Sequence, residues 1–360
     1  MQQPRPTEDI RVTSLEPIVA PEDLKRVFPA PAGAYELVRR ARAGVVEAIE
    51  GRGERLVAIV GPCSIHDPIA ALDYARRLAE LARRVEDRLL VIMRMYFEKP
   101  RTTVGWKGLI SDPDLDGSNA MSKGLGVARR LLCEVSELGL PVATETLSPT
   151  NPQYYADLIS WGGIGARTTQ SQTHREVVSG LSYPVGFKNP TSGQLAVALD
   201  AMQAARSSHT FTGISHDGRA AVIATGGNPH VHLVLRGDDS GPNFGPESVG
   251  EASRRLAEKQ LPPGIFVDGS HANSQKDHTR QEAVLESVLA RVRAGERAIR
   301  GFMLESFLEA GKQDIGGARE GGLVYGQSVT DACIDWSTTE RALLAAREAL
   351  AGSAGAQPGR

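Results

Sequence analysis

The chain is short of cysteine, of long apolar runs and of net charge, and each shortage removes a class of function. Three cysteines, Cys63, Cys133 and Cys333, are too few and too scattered for a disulfide scaffold. They suit a reducing, cytoplasmic setting in which a single thiol is free for metal or redox chemistry. No apolar stretch approaches the ~18–20 residues that cross a bilayer, and residues 1–7 lack the charged-then-apolar order of a signal peptide, so no membrane partner is expected. A net charge of -2 at pH 7 offers no global attraction to nucleic acid; a local basic cluster here is aimed at a small anion. There is no long-period repeat of the solenoid kind.

What the 360 residues do contain, with 41% hydrophobic and 23% charged, is enough apolar sequence for one large core. From about Gly53 onward a short β-branched run, a polar loop and an amphipathic stretch recur, which is βα alternation. Eight runs read as strands, at 56–60, 89–93, 142–144, 163–166, 185–187, 231–235, 265–267 and 302–304. They predict an α/β chain folded as a closed (β/α)8 TIM barrel over residues 53–350. After the first run, Asp67 is placed to cap a helix with Pro68 at its first position and Leu72, Ala75, Ala79, Ala82 and Val85 on its inner face. Two segments interrupt the rhythm. Residues 1–52 read as an N-terminal arm carrying the amphipathic set Leu37, Val38, Ala41, Val45 and Ile49. At 209–225, β-prone runs flank His216-Asp217-Gly218, and Asp-Gly predicts a hairpin inserted before the sixth strand. The small, polar tail at 351–360 is expected to be disordered.

In such a barrel the chemistry gathers at the C-terminal ends of the strands. Those ends carry, in order, Cys63, Arg94, Glu145, Arg167, Lys188, Arg236, His271 and Glu305, with Asp331 further on. Ordinary polar loops would supply Ser, Asn, Asp and Gly, whereas four of these eight are Arg or Lys abutting apolar runs. Arg94, Lys99, Arg167, Lys188 and Arg236 would repel one another unless an anion joined them, and a phosphorylated carboxylic acid matches guanidinium forks and a lysine point charge. Cys63, His271, Glu305 and Asp331 form a mixed thiol, imidazole and carboxylate set suited to a divalent transition ion. Taken singly, Cys63 equally fits a buried small hydrophobe and His271 a hydrogen-bonded loop histidine. His230 and His232 alternate on one strand and read as structural. The glycine pairs at 226–227 and 316–317 are too short to claim a phosphate cradle.

Several segments in register carry a resemblance over nearly the whole chain: Gly61-Pro62-Cys63-Ser64-Ile65-His66-Asp67-Pro68, RMYFEKPRTTVGWKG from Arg94, GARTTQS from Gly165, GFKN from Gly186, SHANS from Ser270 and SVTDAC from Ser328. The chain resembles the type I, feedback-regulated microbial 3-deoxy-D-arabino-heptulosonate-7-phosphate (DAHP) synthases. The resemblance implies the first step of the shikimate pathway, in which phosphoenolpyruvate, erythrose 4-phosphate and water give DAHP and phosphate. It implies that Cys63, His271, Glu305 and Asp331 ligate manganese, iron or cobalt, and that Arg94, Arg167, Lys188 and Arg236 hold phosphoenolpyruvate. Lys99, Pro100, Arg101 and Thr102 match the stretch that meets erythrose 4-phosphate. Glu145 matches a carboxylate near the attacking water, and Lys99 is the candidate acid for the new alkoxide.

The arm and hairpin match segments that form subunit contacts in a homo-oligomer, dimer or tetramer, and a site for an aromatic amino acid inhibitor. Phe211 and Gly213 fall where the family chooses its effector, and glycine there resembles tyrosine-sensitive members. A Cys63–Cys333 disulfide is a further expectation for oxidised, metal-free protein. Three other readings share some of these features: 3-deoxy-octulosonate-8-phosphate synthase, a Schiff-base aldolase using Lys188, and a catalytically silent amino acid sensor.

Overall fold

The computed structural model describes residues 7–101, 103–316 and 322–351. Its first helices are α1 (Pro21–Val27) and α2 (Ala34–Ile49). Eight parallel strands then close a barrel: β1 (Leu56–Gly61), β2 (Leu89–Arg94), β3 (Val142–Glu145), β4 (Ile159–Ile164), β5 (Val185–Lys188), β8 (Val231–Leu235), β9 (Ile265–Asp268) and β10 (Ile299–Glu305), with β10 pairing back onto β1. Between β5 and β8 stands the expected hairpin, β6 (Thr210–Ile214) with β7 (Ala220–Ala224), antiparallel and in register from Thr210↔Ala224 to Ile214↔Ala220. Around the barrel lie α3 (Pro68–Val85), α4 (Met121–Glu137), the short α5 (Pro152–Tyr155), α6 (Gln172–Ser179), α7 (Leu195–Ala205), α8 (Pro246–Glu258), α9 (Gln281–Arg293) and α10 (Trp336–Ala351).

Each strand sorts its residues by parity. One set, including Ala58, Val60, Val91, Met93, Leu233, Val267 and Leu304, packs outward against the helices. The other, including Ile59, Ile92, Ala143, Trp161, Val234, Phe266 and Met303, fills the interior. Trp161 stacks on Phe266 with centroids 6.5 Å apart and donates from Nε1 to His232 Nε2 at 3.2 Å. Room for that indole comes from Gly186, where a Cβ would lie 2.6 Å from the Trp161 ring. The α3 start is as expected, with the Asp67 carboxylate accepting from the backbone N–H of Ile69 and Ala70 and Pro68 at the first position.

Three expectations need correction. The fourth strand spans Ile159–Ile164 rather than 163–166. Its Gly162-Gly163 pair looks like a boundary in sequence, but in the barrel it sits beneath Tyr183 and Trp161, where a side chain would collide. The amphipathic half of the arm is packed into the barrel body. Val45, Ala48 and Ile49 of α2 join the interior cluster, Arg42 donates to the carbonyls of Ala156 and Ile159, and Gly264 N donates to Ile49 O, so α2 plugs the N-terminal end. Ala351 closes α10 instead of opening a tail, while the remainder of that tail, 352–360, lies outside the described residues.

Candidate active site

The inward parity that fills the interior with Phe266 and Met303 continues one step further up each strand and changes character. The next inward residues are Arg94, Glu145, Lys188, Arg236, Asp268 and Glu305, all at most 8% exposed. Two strands contribute glycine to this layer, Gly61 and Gly163. Above it opens a cavity of about 440 Å³ whose walls include Lys99, Arg101, Arg167, His271, Lys312 and Asp331 as well as Glu145, Lys188, Arg236 and Glu305. Pro100 lines it too, whereas Thr102 lies outside the described residues. Cys63 and Arg94, 0% and 1% exposed, are covered beneath its floor.

Three of the four expected metal ligands stand together: Cys63, Glu305 and Asp331 offer donor atoms within 4.8 Å of one another. Asp331 Oδ2 lies 3.3 Å from Cys63 Sγ, and a Ser64–Thr330 hydroxyl pair at 2.8 Å ties their loops together. The Gln281 amide fixes Glu305 by donating to its carbonyl at 2.9 Å and accepting from its N–H at 2.8 Å. His271 is outside this tight group but lines the same cavity. Its Nδ1 is engaged by Ser270 Oγ at 2.7 Å and Asp268 Oδ2 at 3.0 Å, which leaves Nε2 as the nitrogen for a ligand. Burial, and then Glu305, push the Cys63 thiol up to about 12. A divalent cation is the kind of charge that brings such a sulfur to thiolate. Burial opposes ionisation of Asp331, but Lys99 and His271 overcome it and hold the carboxyl at about 2.

The cations are less bare than their number suggests. Arg94 pairs with Glu305 at 3.0 Å, stacks 3.8 Å over the Tyr96 ring and keeps one guanidinium nitrogen, Nη1, buried without a partner among the described residues. Lys188 is paired with Asp268 at 2.7 Å. The expectation of five uncompensated charges therefore fails for these two, because the same inward layer gives each an acid, and Lys99 likewise faces Asp331. Arg167 and Arg236 make no ion pair among the described residues. Burial, despite Asp268 nearby, and the adjacent Arg167 charge draw Arg236 below its ordinary value. Lys99 Nζ bridges the two halves, 3.0 Å from Cys63 Sγ and 3.8 Å from Asp331 Oδ2. Burial works to discharge this ammonium, yet Cys63, Glu305 and Asp331 together raise its pKa above the usual lysine range. Glu145 packs its carboxylate onto Gly165, where a Cβ would push that carboxylate aside.

The whole chain can now be set beside known proteins. The model of the DAHP synthetase I family matches residues 31–344. The chain belongs to that family. A tyrosine-sensitive phospho-2-dehydro-3-deoxyheptonate aldolase of Salmonella typhimurium is 49% identical over 344 residues, 96% of each chain. The tryptophan-sensitive enzyme of Enterobacter agglomerans is 47% identical over 96% of this chain and 98% of its own. Among solved structures, a phospho-2-dehydro-3-deoxyheptonate aldolase from Francisella tularensis superposes with a TM-score of 0.92 at 44% identity, covering 96% of this chain and 100% of that one. The protein is thus an enzyme of the first shikimate step, a DAHP synthase on a (β/α)8 barrel, from a family that is metal-dependent.

The other residues weighed in sequence lie away from the site. His232 is fully buried in the barrel interior and pushed by burial to about 3, so it is a neutral core histidine. His230 sits just before β8 with its N–H on Asn228 Oδ1. All three cysteines are free thiols, Cys333 fully buried. Gly317 lies outside the described residues. No described helix is long and apolar enough to cross a membrane. Sequence reading passed over Asp268, taking His271 as the end of the seventh strand; counting two residues on from inward-facing Phe266 would have found it.

A second cavity, of about 270 Å³, lies under the hairpin, lined by Phe211, Thr212, Gly213, Ile223, Pro152 and Glu176 among others. A Cβ at Gly213 would strike Ile223 Cδ1. The arm reaches the same hairpin, with Glu22 N donating to His216 O at 2.9 Å.

Proposed function

We propose that the large cavity joins phosphoenolpyruvate to erythrose 4-phosphate, and that the observation carrying this is the pair Arg167 and Arg236, unpaired and facing a space walled on its other side by Lys99 and the metal-donor set. Arg94, Arg167, Lys188 and Arg236 hold the phosphate and carboxylate of phosphoenolpyruvate; the buried, unpartnered nitrogen of Arg94 gives that reading an orphaned donor to satisfy. Lys99, Pro100, Arg101 and Thr102 meet erythrose 4-phosphate. Cys63, His271, Glu305 and Asp331 would hold a divalent ion, Mn²⁺, Fe²⁺ or Co²⁺, and three of these donors already lie within reach of one centre. Bound there, the ion supplies Lewis acidity toward the aldehyde oxygen.

The remaining steps belong to the chain's own groups. C3 of phosphoenolpyruvate forms a bond to the aldehyde carbon, and positive charge develops at C2. Lys99, kept as an ammonium by its acidic neighbours, gives a proton to the new alkoxide. Glu145 orients a water whose oxygen adds to C2, and its proton is lost to solvent or a carboxylate. The C2–O bond to the phosphate group then breaks: the C2 hydroxyl becomes the ketone, its proton passes to the departing phosphate, and the phosphate's charge is held by Arg167 and Arg236. Lys188 serves as part of the anion cradle rather than as a Schiff-base nucleophile, because its amine is committed to Asp268. The heptonate names of the relatives argue against the octulosonate alternative. Arg236→Met should weaken phosphoenolpyruvate binding to metal-free protein at least tenfold in a fluorescence titration; unchanged affinity would count against the cradle.

The hairpin cavity reads as the seat of an aromatic amino acid inhibitor, with tyrosine favoured, resting on Gly213 and Phe211 and on the tyrosine-sensitive relatives. The arm, with Ile10, Val12 and Leu15 exposed by 62%, 52% and 85%, fits a role in joining copies into a homo-oligomer. The division into arm, barrel with regulatory hairpin and tail is kept as a functional one, and a cytoplasmic setting agrees with the free thiols.

A further inference from the structure

Asp268 is 0% exposed and is the last residue of β9, one inward step above Phe266. Its two oxygens collect four donors. Oδ2 accepts from Lys188 Nζ at 2.7 Å and meets His271 Nδ1 at 3.0 Å. Oδ1 accepts from Ser270 N at 3.0 Å and from Ser270 Oγ at 2.6 Å. Since the Ser270 hydroxyl hydrogen is spent on Oδ1, the same Oγ, 2.7 Å from His271 Nδ1, faces that nitrogen as an acceptor. Both neighbours of Nδ1 are therefore acceptors, so Nδ1 must carry the hydrogen and Nε2 the lone pair. The His271 backbone is fixed as well: its φ is +58° and its carbonyl accepts from Lys276 N at 2.6 Å.

We propose that Asp268 is a positioning residue that sets the tautomer and ring orientation of His271 and, with the same carboxylate, anchors Lys188. The metal-binding and anion-binding halves of the cavity are thus built on one buried side chain. A metal-bound imidazole whose other nitrogen donates to a carboxylate is a better-oriented and more basic ligand, and loss of that partner commonly costs metal affinity roughly 10–100-fold. The inference rests on the reading of His271 as a ligand. A carboxylate serving only as counter-charge to Lys188 would leave metal affinity untouched, which makes the two roles separable.

The test is a Co²⁺ titration of metal-free full-length protein, followed by the visible absorption of the bound ion. Asp268→Asn should raise the Co²⁺ dissociation constant roughly 10–100-fold with circular dichroism unchanged. A folded variant with wild-type Co²⁺ affinity would overturn the proposal. Removing the charge leaves Lys188 buried without a partner, which can prevent folding. In that event Lys188→Met is compared with Lys188→Met/Asp268→Asn. The double variant should bind Co²⁺ at least tenfold more weakly than the single, and equal affinities overturn the proposal. His271→Ala separates the two ideas. If it binds Co²⁺ as wild type does, the ligand reading fails and the inference with it; if it weakens binding while the Asp268 variants do not, the inference alone fails. Histidine ¹⁵N spectra of the metal-free protein supply a second readout. The hydrogen of neutral His271 should reside on Nδ1 in wild type and shift toward Nε2 when Asp268 is replaced, and a wild-type Nε2–H tautomer would contradict the proposal.

Discussion

At the scale of the residue, function depends on how neighbours set charge. Burial favours the neutral form of Lys99, but three acids and a thiol near it outweigh that, so it stays an ammonium at the cavity wall. Lys99→Met should therefore reduce turnover by roughly 10²–10⁴-fold, the usual worth of a positioned acid, while phosphoenolpyruvate still binds. Steady-state rates and equilibrium binding measured on the same preparation check this; a variant with near-normal turnover would remove Lys99 from the mechanism. His232 shows the opposite outcome, a buried group with no acid beside it. Its folded-state value of about 3 lies below the ordinary histidine value of 6.5, so the unfolded chain binds a proton that the folded chain refuses. Stability is then fully present above pH 6.5 and is lost as pH falls toward 3. Between pH 7 and 5 this one group costs about 2 kcal/mol, from 1.36 kcal/mol per unit. His232→Gln keeps a partner for Trp161 without titrating. Its denaturation midpoint should be correspondingly less sensitive to that pH change, and equal sensitivity would mean that His232 is already protonated in the fold.

Elements were legible where composition and geometry agreed. Strands rich in Val, Ile and Leu, the Asp67-Pro68 helix start and the Asp-Gly hairpin all announced themselves through local chemistry. The fourth strand did not, because Gly162 and Gly163 are there to admit the rings of Tyr183 and Trp161, a demand made by other strands and invisible locally. For the same reason α2 read as an arm: its apolar stripe is plain in sequence, but only the barrel's open N-terminal end explains what covers it. The charged layer was read at five of its six positions from residues following apolar runs, while Asp268 was missed and Arg94 and Lys188 were taken as unpaired, since ion pairing across a barrel depends on register. The hairpin carries its own prediction. Tyrosine should inhibit the enzyme, and Gly213→Leu, which fills the cavity beside Ile223, should raise the half-inhibiting tyrosine concentration at least tenfold. Inhibition by phenylalanine or tryptophan with none by tyrosine would overturn the effector reading.

Taken as a whole, the molecule uses one alternation for two purposes. Lower inward residues, Ile59, Trp161 and Phe266 among them, make a dry interior that α2 seals from below. Upper inward residues of the same strands make a charged layer that runs around the ring as Glu305, Asp268, Arg236, Lys188, Glu145 and Arg94, with Gly163 and Gly61 interrupting it. That layer faces a single cavity into which the loops add Lys99, Arg167, His271 and Asp331. In the proposed reading, the anion-binding and metal-binding groups interlock around that cavity, Arg94 pairing with Glu305 and Asp268 meeting both Lys188 and His271. Neither set is local in sequence, which is why no single residue named the chemistry and the motifs in register were needed to suggest it. The measurement that bears most directly on this account is phosphate release from phosphoenolpyruvate with and without erythrose 4-phosphate, before and after EDTA treatment. Release should require erythrose 4-phosphate, fall to background after EDTA and return on adding Mn²⁺ or Co²⁺. Release that persists in EDTA-treated, metal-free enzyme, or that proceeds without the aldose phosphate, would contradict it.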